Sequence, residues 1–370
     1  MRILFICGSL EPGRDGVGDY TIRLSVELIK SGNQVALVAL NDPFITGFIT
    51  GRHQVEHLSI ETLRISSTVP DKARYNRVQN FINTFKPDWI SLQFVPYSFN
   101  DKGIPFGLAQ NLPFVGGKSK WHIMYHELWI GINTRLSFKN NVVKRIQRFI
   151  IHNLNSKLQP ACVTTSIPSL FHEIEAYKPK ILPLFGNIQI SDRTDRIHRH
   201  GLNEMYVIHF GSFSGQSNEL RSQLQFIQSL SLLSSKPVKF FVLGDSGMFK
   251  DQALLIAQET FGDSAVVFIG RLKEHEVSQY MLQADIGISR ANFSMYGKSG
   301  STIAMLEHGL PVVLRGSQPA KELLLTDKYF CKKQLFFSDS KFDQLPLRQK
   351  PNTNSASDIA TLFLSYLGNT

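Results

Sequence analysis

Apolar residues fall in short runs closed by glycine. Met1–Cys7 leads to Gly8, and Gly13, Gly16 and Gly18 follow. From Asp19 to Lys30 the apolar positions Tyr20, Leu24 and Leu28, with Ile22, Val26 and Ile29, recur at helical spacing, and Gly32 suits the position just past a helix end. Gln34–Leu40 is the next apolar run. Strand, glycine loop, helix and strand predict a βαβ unit and hence a parallel sheet. Further strands are expected at Trp89–Phe94, His122–Tyr125 and Ala161–Thr165, and a strong helix at roughly 138–155.

A second series starts near residue 205. Tyr206–Phe210 predicts a strand ending at Gly211, Leu220–Leu233 a helix, and Val238–Leu243 a strand ending at Gly244-Asp245-Ser246-Gly247. A helix over Lys250–Thr260, a strand over Val266–Ile269, a helix over Glu274–Gln283 and a strand over Ile286–Ser289 continue it. Thr302–His308 predicts a helix, Leu310–Leu314 a strand, and Asp358–Leu367 a last helix. Ser191–Gly201 is polar without apolar periodicity, which suits a linker or a nearby loop. The expected architecture is α/β: two Rossmann-like domains facing across a central cleft. Their bounds are 1–185 and 186–350, with residues 351–370 a C-terminal helix packing back toward the first domain.

Composition changes little in this picture. The 370 residues are 42 % hydrophobic and 19 % charged, an ordinary globular balance. No apolar run approaches the roughly 18 residues of a membrane span. The first residues carry one basic group and too short an apolar stretch for a signal peptide. Cys7, Cys162 and Cys331 have neither zinc nor disulfide spacing and suggest a reduced compartment. Charge adds more. The chain carries a formal +10, and residues 1–180 hold 21 Lys/Arg against 13 Asp/Glu, so most of the surplus lies in the first half. Nucleic acid, an anionic membrane and a phosphorylated substrate all fit a basic half. No RRM, KH or zinc-finger pattern supports nucleic acid, which is not expected as a partner. The helix near 138–155 mixes Lys139, Lys144, Arg145 and Arg148 with a broad apolar face. Such a helix suits the surface of an anionic membrane, or simply one packed and one solvated side.

Candidate chemistry gathers at strand ends. In the first half, Gly16-Val17-Gly18-Asp19-Tyr20 lacks GxGxxG spacing, yet its glycines let a ligand approach the backbone. His126 and Glu127 follow a strand, and Ile130 excludes the zinc pattern HExxH. In the second half, Gly297-Lys298-Ser299-Gly300-Ser301-Thr302 precedes a helix. Asn292 stands where a Walker A loop needs glycine, so the segment is not that motif, but an ammonium beside helix-start amides still makes a phosphate site. Gly211-Ser212, Gly244-Asp245 and Arg271-Leu272 also end strands. No DxD, Cys/His cluster or GxSxG is present, and no metal site is expected.

These segments, with Ala284-Asp285-Ile286 and Glu307-His308-Gly309-Leu310-Pro311-Val312-Val313, resemble GT-B-fold glycosyltransferases, close to the retaining enzymes of glycosyltransferase family 4. The resemblance runs almost end to end. It implies a nucleotide-sugar donor, UDP- or GDP-linked, held by the second domain without metal or other cofactor. It also implies a hydroxyl acceptor, glycan or lipid-linked, on the first domain. The setting it implies is cytoplasmic glycan, polysaccharide or glycolipid synthesis, at the inner face of the membrane if the basic helix docks there. Catalytic roles fall to His126, Glu127, Lys298 and Arg271. Donor contacts fall to Gly16, Val17, Gly18, Gly211, Ser212, Gly244, Asp245, Leu272, Gly297, Ser299, Gly300, Ser301 and Thr302, and acceptor-side contacts to Asp19 and Tyr20. Four positions depart from the family. Its Arg and Lys after the first strand of the second domain become Ser212 and Ser217, and its two glutamates become Tyr296 and Ala304. A donor grip rebuilt from Lys298, Arg271 and Arg290 is therefore expected. A nucleotide-sugar binder without transfer activity and a nucleotide-sugar epimerase are the alternatives.

Overall fold

A computed structural model describes residues 1–55, 57–132, 137–191, 203–325, 327–342 and 344–368. The chain forms two compact units, Met1–Pro183 with Ala356–Thr370, and Leu184–Ser355. The polar segment expected as a linker, residues 191–201, lies outside the described residues except for Ser191.

The first unit runs β1 (Arg2–Cys7), α1 (Gly16–Lys30), β2 (Gln34–Asp42), β3 (Phe48–Val55), β4 (Leu58–Ser66), α2 (Asp71–Phe85), β5 (Trp89–Phe94), α3 (Pro96–Phe99), α4 (Phe106–Val115), β6 (Lys120–Tyr125), α5 (Phe138–Leu158), β7 (Cys162–Thr165), α6 (Pro168–Glu173) and β8 (Lys180–Ile181). Its sheet has the order β3-β4-β2-β1-β5-β6-β7-β8. Ile3 to Cys7 and Trp89 to Phe94 are buried throughout, as expected of strands covered on both faces. The expected parallel sheet needs one correction, because β3 pairs antiparallel with β4 in a hairpin. β3 is an exposed edge strand, so it shows no burial alternation in its residues. Helix α1 starts at Gly16, three residues earlier than its apolar pattern, because Asp15 caps it there.

The second unit runs β9 (Met205–Phe210), α7 (Ser217–Ser234), β10 (Val238–Leu243), α8 (Lys250–Phe261), β11 (Val266–Gly270), α9 (Glu274–Gln283), β12 (Ile286–Asn292), α10 (Gly300–Glu307), β13 (Val312–Arg315), α11 (Lys321–Leu325), α12 (Lys328–Cys331) and β14 (Leu335–Phe336). All pairings in its sheet, β11-β10-β9-β12-β13-β14, are parallel. The order reverses at β9, so β9 and β12 are the neighbours beside which a doubly wound sheet offers a ligand crevice.

The last helix, α13 (Ser355–Gly368), lies on the first unit. Phe363 is fully buried, with its ring 5.8 Å from Phe5 and 5.1 Å from His122. The Tyr366 hydroxyl donates to the Ile181 carbonyl at 2.9 Å. Phe363→Ala should therefore cost the first unit about 3–5 kcal/mol, the usual range for emptying a buried phenylalanine site. Urea unfolding should show an early transition for that unit, and an unshifted transition would contradict the docking of α13.

Candidate functional site

In the second unit, three neighbouring strands end in left-handed glycines. Gly211 (φ 101°), Gly244 (φ 88°) and Gly270 (φ 78°) follow or close β9, β10 and β11. The Gly211 N–H donates to the Leu243 carbonyl at 3.1 Å, and the Gly244 N–H to the Gly270 carbonyl at 2.7 Å. A side chain at Gly211 or Gly244 would be strained by its φ, so the strand ends stay bare. An ideal Cβ on Gly211 would lie 3.6 Å from the Ser301 Oγ, which brings the start of α10 against this floor.

Helix α10 is capped from within. The Ser299 Oγ accepts from the Thr302 N–H at 3.4 Å and from the Thr302 hydroxyl at 2.7 Å, and Thr302 lies 2.6 Å from the Ser289 Oγ. Ser299 and Thr302 are thus occupied in holding the helix. Thr302 is fully buried, which corrects its place among the direct donor contacts. The N–H groups of Gly300 and Ser301 have no acceptor among the described residues. Gly297 and the half-buried Lys298 form the tight turn before them.

The cations sort differently from the sequence expectation. The Arg271 guanidinium makes a two-pronged ion pair with Asp245, Nε to Oδ1 at 2.6 Å and Nη2 to Oδ2. Both residues are exposed, and the partnership makes Arg271 a partly neutralised cation, not the open one expected. Arg290, at the end of β12, donates from Nη1 to the Ser212 Oγ at 2.7 Å. Among the described residues its hydrogen-bond partner is that neutral hydroxyl, next in sequence to Gly211. Leu272 is partly buried and packs on the apolar core.

Tyr296 and Ala304, where the resemblance implies glutamates, are used structurally. The Tyr296 hydroxyl donates to Asp327, and burial raises its pKa. Ala304 is buried beneath Gly186, where a Cβ would lie 2.6 Å from the Ala304 Cα. Glu307, one turn later and also buried, accepts from the Gly186 N–H through Oε2 at 2.9 Å.

In the first unit, the glycine segment is the first turn of α1 and not an open loop. Asp15 accepts from the Val17 N–H at 2.9 Å and the Gly18 N–H at 3.4 Å. Those amides, expected to face a donor, are spent on the cap, and burial raises the Asp15 pKa against the effect of these bonds. Gly18 must be glycine, since a Cβ would meet the Ser9 carbonyl at 2.5 Å. Gly16 has open space, and Asp19 accepts from the Gly13 N–H at 3.1 Å. Tyr20 is buried with its ring edge-on to His126, 5.3 Å away.

His126 ends a line of polar side chains that the sequence did not reveal. Its Nε2–H donates to the Gln93 Oε1 at 2.8 Å, the Gln93 Nε2 to the Ser91 Oγ at 2.7 Å, and the Ser91 hydroxyl to the His122 Nδ1 at 2.7 Å. The His122 Nε2–H then donates to the Thr164 Oγ1 at 2.9 Å, and Thr164 to the Met124 sulfur at 2.8 Å. All of these residues except Met124 are polar, and all are buried. The only sequence signal was the alternation of Ser91 and Gln93 along one face of a strand otherwise apolar. Glu127 is half-buried, its N–H directed at the Phe94 carbonyl at 3.4 Å.

No family model matches the chain, and no curated protein does. Solved structures do. It is similar to sucrose-phosphate synthase from Thermosynechococcus elongatus (TM-score 0.58, 14 % identity, 99 % of this chain and 90 % of that one). It is similar to Anabaena Alr3699/HepE in complex with UDP and glucose (TM-score 0.57, 14 % identity, 100 % and 91 %). It is also similar to UDP-GlcNAc 2-epimerase from Methanocaldococcus jannaschii (TM-score 0.53, 9 % identity, 99 % and 100 %). At these identities the likeness establishes the fold: the chain has the glycosyltransferase-like GT-B fold, with a Rossmann-like parallel sheet in each unit.

Two buried histidines give a test of this geometry. Burial lowers the His209 pKa from 6.5 to about 4, and that of His122 from 6.5 to about 3. The unfolded chain binds protons on both below pH 6.5 while the folded chain does not, so stability is full above that value and falls as pH drops toward 4. His209→Gln, which cannot titrate, should flatten the slope of unfolding free energy in that window. The same slope in wild type and variant would show that His209 is not buried neutral. Separately, Gln93→Leu leaves the His126 Nε2–H without its acceptor and removes the donor to the Ser91 Oγ, and should cost about 1–3 kcal/mol. Nitrogen NMR of histidine-labelled protein should show the His126 tautomer population change, and unaltered imidazole shifts would remove Gln93 from that role.

Proposed function

We propose that the protein is a glycosyltransferase that moves a sugar from a nucleotide-sugar donor to an acceptor hydroxyl. The observation that carries this reading is Arg290, an exposed cation whose hydrogen-bond partner among the described residues is the neutral Ser212 hydroxyl, next in sequence to the left-handed Gly211 that follows β9. The start of α10, with the Gly300 and Ser301 amides, lies against the same Gly211 through Ser301, and Lys298 is in the turn before it. That set suits a diphosphate: the backbone permits close approach, and positive groups meet the charge that grows as the leaving group departs. The anomeric C–O bond to the diphosphate breaks, a bond to the acceptor oxygen forms, and the hydroxyl proton goes to the leaving diphosphate. Retention of configuration is proposed from the resemblance to retaining enzymes, as is a role for His126 at the donor sugar. UDP is the first nucleotide to test, since Alr3699/HepE is recorded with UDP and glucose.

Calorimetry with UDP and GDP tests the donor grip. Arg290→Ala and Lys298→Ala should each raise the dissociation constant about 10- to 100-fold, the worth of one charge-assisted hydrogen bond. Arg271→Ala, already paired with Asp245, should change it less. Equal, small effects at all three would overturn the assignment. Incubation of UDP-sugars without acceptor separates the alternatives: an isomerised sugar would mean epimerase, and tight binding without product for any acceptor a binder.

A further inference from the structure

The surplus positive charge of the chain is concentrated in one stretch. Residues 102–172 hold nine Lys/Arg and a single acid, Glu127. Helix α5 alone carries Lys139, Lys144, Arg145, Arg148 and Lys157 with no Asp or Glu. Its inner face, Gln147, Ile150, Ile151, Leu154, Asn155 and Leu158, is buried in the first unit. The positions left outside run Phe138, Val142, Arg145, Phe149, His152 and Ser156, steps of three and four residues and so one stripe along the helix. Phe138 is 86 % exposed, Phe149 57 % and Val142 43 %. α4, which packs against α5, exposes Phe114 at 79 %.

Phenylalanines standing out of a protein surface are costly unless something covers them. Cations placed around them narrow what that is. Arg148 lies over the Trp129 ring and Lys144 donates to the Gly131 carbonyl, so neither is lost to a carboxylate. Lys139 and Arg145 make no ion pair among the described residues. A stripe with Phe138, Val142 and Phe149 exposed, Arg145 among them and Lys139 beside them, matches the boundary of a lipid layer, where phenylalanine enters among the acyl chains and Lys/Arg meet headgroup phosphates. We propose that the outer face of α5 docks the first unit on an anionic phospholipid bilayer, with Phe138, Val142 and Phe149 inserted and Lys139 and Arg145 on the phosphates.

The proposal does not rest on the donor reading, and calorimetry with UDP on the same preparations keeps the two apart. The test is co-sedimentation of the full chain with vesicles of phosphatidylcholine alone and of phosphatidylcholine mixed with phosphatidylglycerol, at low and at raised salt. Wild type should bind the mixed vesicles and not the neutral ones, and salt should weaken binding. Lys139→Glu with Arg145→Glu should lower the partition coefficient by tenfold or more, since each cation near such a surface is worth about 1 kcal/mol. Phe138→Ser with Phe149→Ser should lower it similarly and remove the binding that survives raised salt. All four side chains are exposed, so melting temperature and UDP affinity should stay at the wild-type values. Absence of binding to anionic vesicles at low salt overturns the proposal. Binding indifferent to the phenylalanine pair overturns insertion, and binding of a soluble polyanion such as heparin with equal sensitivity to both pairs would assign the face to another partner.

Discussion

The second unit depends on where α10 sits. From Thr302 to His308 this helix is buried on every side, and a buried helix must bring partners for its polar groups. It does so at both ends. Ser299, Thr302 and Ser289 close the start, while His308 bonds Ser278 at 2.8 Å and its own Ala304 carbonyl at 2.7 Å. Gln334 donates to the Leu306 carbonyl at 2.8 Å, and Glu307 takes the Gly186 N–H. Each contact comes from a different part of the sheet or its helices, so the start of α10 is fixed against β9 and β12. Such rigidity favours any ligand held at this helix start, because a group that must first be ordered contributes less to binding.

The positions at which the resemblance implies other residues fit this packing. A glutamate at position 304 would have to lie beneath Gly186, where even the glycine is in close contact with the helix backbone. Alanine is the residue that fits. Position 296 holds a tyrosine whose hydroxyl is engaged by Asp327, which anchors the turn carrying Lys298. With Ser212 in place of a loop arginine, the guanidinium of Arg290 crosses from β12 to take the serine hydroxyl. The positive group then stands on a strand end, a firmer base than a loop.

Patterning made most of the fold legible. Parallel strands buried on both faces appear as apolar runs, and the glycines that close β9 and β10 mark their ends. What stayed hidden has a physical reason in each case. β3 is solvated on its outer edge and carries polar and charged residues, so no period of two marks it. α2 buries Tyr75, Val78, Ile82 and Phe85 within a strongly polar sequence, and its apolar stripe is thin. In the site, the glycines and Lys298 were readable because their chemistry is local. The pairing of Arg271 with Asp245 spans 26 positions and that of Arg290 with Ser212 spans 78. Sequence places each arginine at a strand end but cannot say which one a carboxylate will claim.

The buried line from His126 to Thr164 poses a different constraint. Every member between its ends can both give and accept a hydrogen bond. Turning the Gln93 amide over would make its oxygen accept from Ser91 and its nitrogen donate to His126. The Ser91 oxygen would then accept from the His122 Nδ1, and Thr164 would donate to the His122 Nε2 instead of to Met124. The four bonds from His126 to Thr164 survive the reversal and the one to the Met124 sulfur is lost, while both histidines exchange tautomers. Since burial keeps His122 neutral, the line cannot relieve a mismatch by taking up a proton. The choice is therefore made at its ends. One end is the weak sulfur acceptor of Met124, which binds the Thr164 proton poorly. The other is the His126 imidazole. A group that donates to the second nitrogen of that ring favours the direction described above, and one that accepts from it favours the reverse. The arrangement links the tautomer of His126 to the core of the sheet through hydrogen-bond direction alone, without moving a backbone atom.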